Sequence, residues 1–568
     1  MESKEPGATI IPVIISSDKT QVTLFRNKSA YPVYLTIGNI PKGTRRQSSQ
    51  HSYILLGYIP TTRLEHVTNK AARRRMLINL YHTCLSRFLR PLESVGLKGI
   101  PMMSGDGMFR RTHPLFAIFS GDYPEQVLAT CVTSGECVPC PTKWDELDKE
   151  PAESYRDMDR ILEAFEYADE PDLTEFIVQC KLAGIKPIVH PFWRKLPLVH
   201  IFRSICPDIL HQFYQGVIKH LTAWIKSAFG PLELDARCHR LPPNHNIHLF
   251  MKGITTLSRI SGQEHSQICR ILLGLIVDLR LPGNQSPIRL VRAVRAMLDA
   301  LYLAQYPIHS VDTLALLENA LSRFDESKQI FIDLGIRSNF NITKFHFVRR
   351  HYIDAIKFFG TTDNYNTEYT ERLHIDLVKD AYRATNRKDE LSQMTLWLER
   401  KEKVFRHDSF IAWRLHGSPS PADWEPPGLL HRRQIQITKH PSRKRVSLNE
   451  LETSYGASSI QDALVEYFVR LSNAGVQMTR NQIEIAMDSF DLPFQSVAVF
   501  HKLKFWNRDG QGLSGRTETL DAIHIRPEWT NKKGSQIPGR FDTALFREAA
   551  QGFGVKGMPF YQSTILCS

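Results

Sequence analysis

Two groups of residues in this sequence have types and spacings that could do chemistry. Asp18 directly follows a short β-branched run, Ile10 to Ile15, and Asp122 directly follows a second strand-like run, Pro114 to Ser120. If the second run lies beside the first in a β-β-β-α-β sheet, the two carboxylates converge at one edge. A third acid on a later helix completes the donor set of a two-metal site, in which hard oxygen ligands hold two Mg²⁺ ions about 3.5–4 Å apart around a phosphate. Glu371, in the helical stretch TERLHIDLVKDAYRAT, is the best third member. Spacing alone supports this weakly, because 59 acidic residues give many chance triples. Solvated aspartates at loop ends are the plainer alternative.

The second group is Cys137-Val138-Pro139-Cys140, a C-x2-C knuckle in the turn-rich string SGECVPC. At this spacing two thiolates can grip one Zn²⁺. It is half a site. No second C-x2-C exists, and the nearest partners in kind are His346 and His351 of FHFVRRH, far along the chain. Two histidines five apart on an ideal helix point about 140° from each other. They can therefore share a metal only at a helix end or a distortion. An unmetallated surface knuckle with two ordinary histidines is the alternative.

The elements that must position these residues begin as a β-meander. The run Ile10 to Ile15 suits a strand buried on both faces, Val22 to Phe25 and Val33 to Ile37 read as two more strands, and Arg26 to Ser29 is the turn between them. An amphipathic helix is expected over 62–92, with Arg73, Arg74 and Arg75 on its exposed face. Pro114 to Ser120 is the fourth strand. Residues 141–175 are acidic and polar, most simply a solvated loop or exposed helix. An all-helical block follows from Pro207 to about Ile336, then a helix carrying Glu371, a Pro-rich linker at Ser418 to Pro427, and a basic segment (His431-Arg432-Arg433, Lys439, Ser442-Arg443-Lys444-Arg445) suited to phosphate contact or nuclear import.

Composition excludes several classes. The 568 residues are 42% hydrophobic with ordinary Gly and Pro content, which rules out one small module, wholesale disorder and collagen. No apolar run approaches the roughly 18 residues of a membrane span, and the charged N-terminus MESKEPG is no secretory signal. Lys and Arg exceed Asp and Glu by 13, which favours a polyanionic partner, nucleic acid first. Nine cysteines cannot all pair, so metal ligation is the better question for a close pair.

The strings IIPVIISSDKTQVTLFRNKSAYPVYLTIGNIP, SGDGMFRRTHPLFAIFSGDYPEQ, SGECVPC, HPFWRKLPLVHIFRSICPDILHQFYQGVIKHL, RISGQEHSQICRILLGLIVDL and FFGTTDNYNTEYTERLHIDLVKDAYRATN resemble the Plavaka group of fungal transposases, among the CACTA-like DDE transposases. The resemblance runs over residues 8–415 and more thinly beyond. It implies an α/β fold: a ribonuclease H-like mixed sheet, a large all-helical insertion and a mixed C-terminal region. It also implies metal-dependent cutting and joining of DNA, two catalytic Mg²⁺ or Mn²⁺ ions, one structural Zn²⁺, assembly as a homo-oligomer when active, and a nuclear location without membrane.

The wider group shares an ordered pattern with the catalytic subunit of the V(D)J recombinase. Its positions read here as Asp18, Asp122, Cys137 with Cys140, Asp208 with His211, His346 with His351, and Glu371. The resemblance makes Asp18, Asp122 and Glu371 the catalytic metal ligands, places His211 near the scissile phosphate, and gives the zinc to Cys137, Cys140, His346 and His351. Asp106 and Asp208 compete with Asp122 for the second acid, and Glu368 competes with Glu371. The expected organisation is 8–140 for the first part of the core with its zinc knuckle, 141–206 an acidic connector, 207–340 the helical insertion, 341–415 the end of the core, 416–450 a Pro-rich basic linker and 451–568 a C-terminal region.

Two departures from the family pattern point to a truncated or inactive remnant: the chain starts barely ahead of its first catalytic strand, and its end lacks a strand-like close. The rival reading is a non-catalytic nuclear DNA-binding or scaffold protein derived from such a transposase. An intact acidic triple favours the enzyme, and the missing N-terminal DNA-binding region favours the rival.

Overall fold

Strand β1 (Thr9–Ser17) is apolar on successive residues, and the fold surrounds it accordingly. In the computed structural model Val13 and Ile15 join the large core on one side of the sheet, while Ile14 packs with Ile118, Cys206 and Tyr365 on the other. The strand is thus buried on both faces, as its sequence predicts. The residues described are 7–23, 28–47, 50–104, 108–149, 154–169, 173–242, 247–258, 260–282, 286–415, 417, 435–438, 440–473, 478–508, 518–531, 534–542, 544–545 and 560–561.

β1 is the centre of a five-stranded mixed sheet. With β2 (Pro32–Ile37), β3 (Ile54–Tyr58), β4 (Ile100–Met103) and β5 (Phe109–Ser120), the order is β3-β2-β1-β5-β4. β2 runs antiparallel to β1, and β5 runs parallel to it with Ser16 opposite Ser120. β4 forms a hairpin with the first part of β5. The outer edge of β5 near its end is taken by a single parallel bridge from Phe119 to Ile205, with the Phe119 N–H donating to the Ser204 carbonyl at 2.9 Å.

The meander differs from its expected form. Where the sequence predicts a strand over Val22 to Phe25, Thr20–Gln21 pairs with Ser29–Ala30 outside the sheet and the Val22 N–H donates to the Lys28 carbonyl at 3.2 Å, while residues 24–27 are not among those described. The third sheet strand is instead Ile54–Tyr58, only partly buried. An edge strand with a glycine in it carries little apolar contrast in sequence. Gly57 is required by packing there: a Cβ would come within 2.9 Å of the Phe88 ring. Helix α1 (Lys70–Lys98) starts later than expected because the Asn69 side chain caps the Ala71 and Ala72 N–H groups. It buries Tyr81, Leu85 and Leu89 against the sheet.

The acidic segment is not a solvated cover. It follows helix α2 (Tyr123–Thr130), contains α3 (Met158–Glu166) and runs into α4 (Leu173–Leu182), and Ile161, Ala164, Phe165, Phe176 and Cys180 enter the same core as Trp193 and Phe202. On α3 the acids Asp159, Glu163 and Glu166 are exposed while Ile161, Ala164 and Phe165 are buried. The acidic composition is therefore one helical face, the other being core.

The helical block opens with a π-helix, Ile209–Ile218, followed by α5 (Lys219–Phe229), α6 (Pro231–Arg240), α7 (Gly262–Ile276), α8 (Ile288–Ala304) and α9 (Val311–Ser327). Ser261 and Ser310 begin α7 and α9 with capping boxes. Then come α10 (Thr343–Arg350), α11 (Tyr352–Phe359), α12 (Glu368–His374) and α13 (Glu390–Leu415). The chain divides into two compact units, Met1–Leu241 with Phe250–Gly428, and Pro242–Leu249 with Leu429–Ser568. The second has its own core of Val446, Leu448, Leu451, Tyr455 and Ile460. Of the basic segment, Arg443 to Arg445 lie in a strand, with Arg443 ion-paired to Glu450. His431 to Arg433, Lys439 and the Pro-rich stretch 418–427 are outside the described residues. Among those described, no helix is long and apolar enough to cross a membrane.

The place of the acidic segment in the core can be tested. Phe165→Ala should cost about 3–5 kcal/mol in chemical denaturation, whereas Glu163→Ala on the exposed face should stay within about 0.5 kcal/mol. Small and equal effects would remove this segment from the core.

Candidate functional site

Because β1 and β5 are parallel neighbours, the residues just beyond them emerge at the same end of the sheet. Asp18 follows β1 and Asp122 follows β5. Asp122 is also the N-cap of α2: its Oδ1 accepts the Glu125 N–H at 2.9 Å, with Pro124 in the first turn. Burial, reinforced by the charges of Asp122 and Glu371, pushes the Asp18 carboxyl up to about 7, with His211 acting in the opposite sense. Three acids from stretches far apart in sequence therefore act on one another.

Glu371 reaches this end of the sheet through a chain of anchors. Ser120 Oγ donates to the Tyr365 carbonyl at 2.8 Å. Thr367 Oγ1 bonds the Asp208 carboxylate and lies 3.0 Å from His211 Nδ1. His211 Nε2 is 3.3 Å from Glu371 Oε1. Asp208, buried, caps the π-helix by accepting the His211 and Gln212 N–H groups at 2.7 and 3.2 Å, and bonds His211 Nδ1 at 2.8 Å. Burial opposes charge on both partners but their pairing outweighs it: the Asp208 carboxyl is lowered, and His211, between Asp208 and Glu371, is raised to about 10. The result is an imidazolium held between two carboxylates.

The competing acids are placed differently. Asp208 has its oxygens engaged by His211, Thr367 and the first turn of the π-helix. Glu368 is raised by burial and accepts from Asn366. Asp106 lies outside the described residues.

Cys137, Cys140, His346 and His351 come together: one ligand atom from each lies within 4.8 Å of the others, and all four residues are buried. The helical problem posed by the two histidines is solved by a break. α10 ends at Arg350, α11 starts at Tyr352, and His351 between them has φ −122° and ψ −11°. Cys140 Sγ is 3.2 Å from His346 Nε2, whose other ring nitrogen bonds the Leu147 carbonyl at 2.7 Å. That second bond is the usual support of a metal-ligating histidine. His351 Nε2 is buried with no hydrogen-bond partner. Burial raises the Cys137 thiol, while Cys140 is lowered by its bond to Cys137, by the His346 ring and by the nearby His351. A soft, buried donor set with an orphaned nitrogen fits a metal ion, and the knuckle is no surface turn.

Three supporting residues had no readable sequence signal. Arg156, 2% exposed, donates to the Val138 and Cys137 carbonyls at 3.1 and 2.8 Å and pairs with Glu136, so it clamps the knuckle's backbone. Lys344 Nζ donates to the His211 carbonyl at 2.9 Å and so ties α10 to the π-helix. Glu125 is buried below Asp122, and burial raises its carboxyl to about 8 against bonds from Tyr31 and Ser17. In sequence it reads only as the third residue of a helix start.

Residues 1–225 match the family model described as Plavaka transposase. The matched stretch holds Asp18, Asp122, Cys137, Cys140, Asp208 and His211, while His346, His351 and Glu371 lie beyond it. A search of curated proteins finds no match.

The crowding of acids has a measurable consequence. Asp18, raised from 3.8 to about 7, makes the fold lose stability as pH rises through that interval, because the unfolded chain releases the proton first. Without added divalent metal, Asp18→Asn should be more stable than wild type at pH 8, by on the order of 2 kcal/mol. The gap should close toward pH 4 in thermal melts. Identical melting at pH 8 would show that neither burial nor the charges of Asp122 and Glu371 oppose the ionisation of Asp18.

Proposed function

With residues 1–225 supporting a Plavaka-type transposase as the premise, we propose that this chain is a DDE-type DNA transposase core that cleaves DNA strands and transfers them to a target. The observation that carries this reading is the convergence of Asp18, Asp122 and Glu371, from three separate stretches, at one end of the central sheet. The β-β-β-α-β order with the last long strand beside the first supports a ribonuclease H-like core, to which β4 adds a hairpin. In this reading residues 8–140 and 341–415 form the core, 141–206 pack into it, 207–340 are the insertion, 416–450 the linker and 451–568 the C-terminal region.

Asp18, Asp122 and Glu371 would hold two Mg²⁺ or Mn²⁺ ions, whose chemistry when bound would be activation of a water or 3′-hydroxyl nucleophile and stabilisation of the leaving oxygen. Asp122 spends one oxygen on its helix cap and keeps the other for a ligand. Burial, then the charges of Asp122 and Glu371, make the Asp18 carboxyl reluctant to ionise, and a bound cation would relieve both. His211, kept charged by Asp208 and Glu371, is the side chain placed to meet a scissile phosphate. Cys137, Cys140, His346 and His351 would hold one structural Zn²⁺, joining the turn after α2 to α10. Lys344 on that helix carries the tie to the carbonyl of His211. The basic excess gives sequence-blind, salt-sensitive DNA binding in the nucleus, and the active form would be a homo-oligomer.

Plasmid nicking tests the chemistry. Mg²⁺ or Mn²⁺ should support slow nicking of arbitrary DNA, and Asp18→Ala or Glu371→Gln should abolish it while DNA binding stays nearly unchanged. Salt-sensitive binding with no metal-dependent nicking would instead make the chain a non-catalytic DNA-binding or scaffold derivative of a transposase. Elemental analysis tests the second site: about one zinc per chain is expected, lost in the Cys137→Ser, Cys140→Ser double variant. Zinc that persists in that variant would remove the knuckle from the metal.

A further inference from the structure

A fourth carboxyl lies directly behind the acid cluster, and its connections are unusual. Glu125, 8% exposed, accepts from the Tyr31 hydroxyl on both oxygens, at 2.5 and 2.7 Å, and from Ser17 Oγ at 2.9 Å. Ser17 Oγ also lies 3.0 Å from the Tyr81 hydroxyl on α1. Through its own N–H, Glu125 is bonded to the Asp122 side chain. The fit behind it is close: a Cβ on Gly121 would come within 2.9 Å of the Glu125 Cβ. Ser17 is the last residue of β1 and the neighbour of Asp18. One residue therefore grips both the chain that carries Asp18 and the side chain of Asp122.

We propose that Glu125 is a positioning residue that sets the separation of the Asp18 and Asp122 carboxylates, and with it the affinity of the pair for divalent cations. This rests on the reading that Asp18 and Asp122 are cation ligands. The carboxyl suits the place because its two oxygens take the Tyr31 and Ser17 hydroxyls together. The residue itself does not reach the cluster's ligands by its side chain. Its effect passes through the end of β1 and the cap of α2, as a supporting shell acts on metal ligands.

Direct Mn²⁺ titration of the full chain, with free ion counted by electron paramagnetic resonance, separates this role from plain stability. Glu125→Ala should weaken Mn²⁺ binding by about tenfold or more, with zinc content and circular dichroism unchanged. Glu125→Gln should restore binding to within about threefold, because the Ser17 hydroxyl can turn to accept from the amide and donate to Tyr81. In nicking, the Mn²⁺ concentration for half-maximal rate should rise in Glu125→Ala while the rate at saturating metal changes little. Wild-type Mn²⁺ affinity in a folded Glu125→Ala protein would overturn the proposal. If that variant does not fold, Tyr31→Phe and Ser17→Ala remove the donors singly, and unaltered affinity in both would equally overturn it. Wild-type protein whose Mn²⁺ binding is indifferent to Asp18→Ala would refute the underlying assignment of the acid cluster instead.

Discussion

The structure depends on a repulsion. Parallel pairing of β1 and β5 delivers Asp18 and Asp122 to one end of the sheet, and α12 adds Glu371. Like charges repel more strongly where water is excluded, and burial together with Asp122 and Glu371 opposes the charge on Asp18. Acids crowded in this way stay in place only if their backbones are held by something stronger than the repulsion. Here the sheet holds two of them, and Ser120, Thr367 and His211 hold the third.

Much of the surrounding architecture can be read as answering that constraint. His211 is a fixed cation among the acids, and its charge is secured by Asp208, whose remaining bonds cap the π-helix. A π-helix is a rare form that is frequent at functional sites, and this one carries His211 in its first turn. Glu125 and Tyr31 anchor the strand end from behind. The Cys–His cluster acts at longer range. Its two halves come from either side of the helical block, so whatever holds them together also limits where α10, and with it Lys344, can sit.

The local patterns were legible in sequence for local reasons. A short apolar run without polar alternation suits burial on both faces, and Val13 to Ile15 of β1 have it. A C-x2-C knuckle advertises itself within four residues, and the need for a helix break between His346 and His351 follows from helical geometry alone, as the structure shows at His351. Where burial is partial or one-sided the signal fades. The edge strand Ile54–Tyr58 was missed, and the acidic segment concealed a core face because its charges outnumber its few buried apolar residues.

What the sequence determined by itself was therefore the set of reactive residue types and the short elements that carry them. Tertiary structure alone decided which acids share a space. Asp208 and Glu368 are of the same chemical type as Asp122 and Glu371 and sit beside them in the motif order; only the partners each one meets, Thr367 and the π-helix turn for Asp208 and Asn366 for Glu368, distinguish them. The same holds for Arg156, Lys344 and Glu125. Their positions matter through bonds to backbone carbonyls or hydroxyls distant in sequence, and any residue can supply a carbonyl, so no pattern of side chains can announce such a partner.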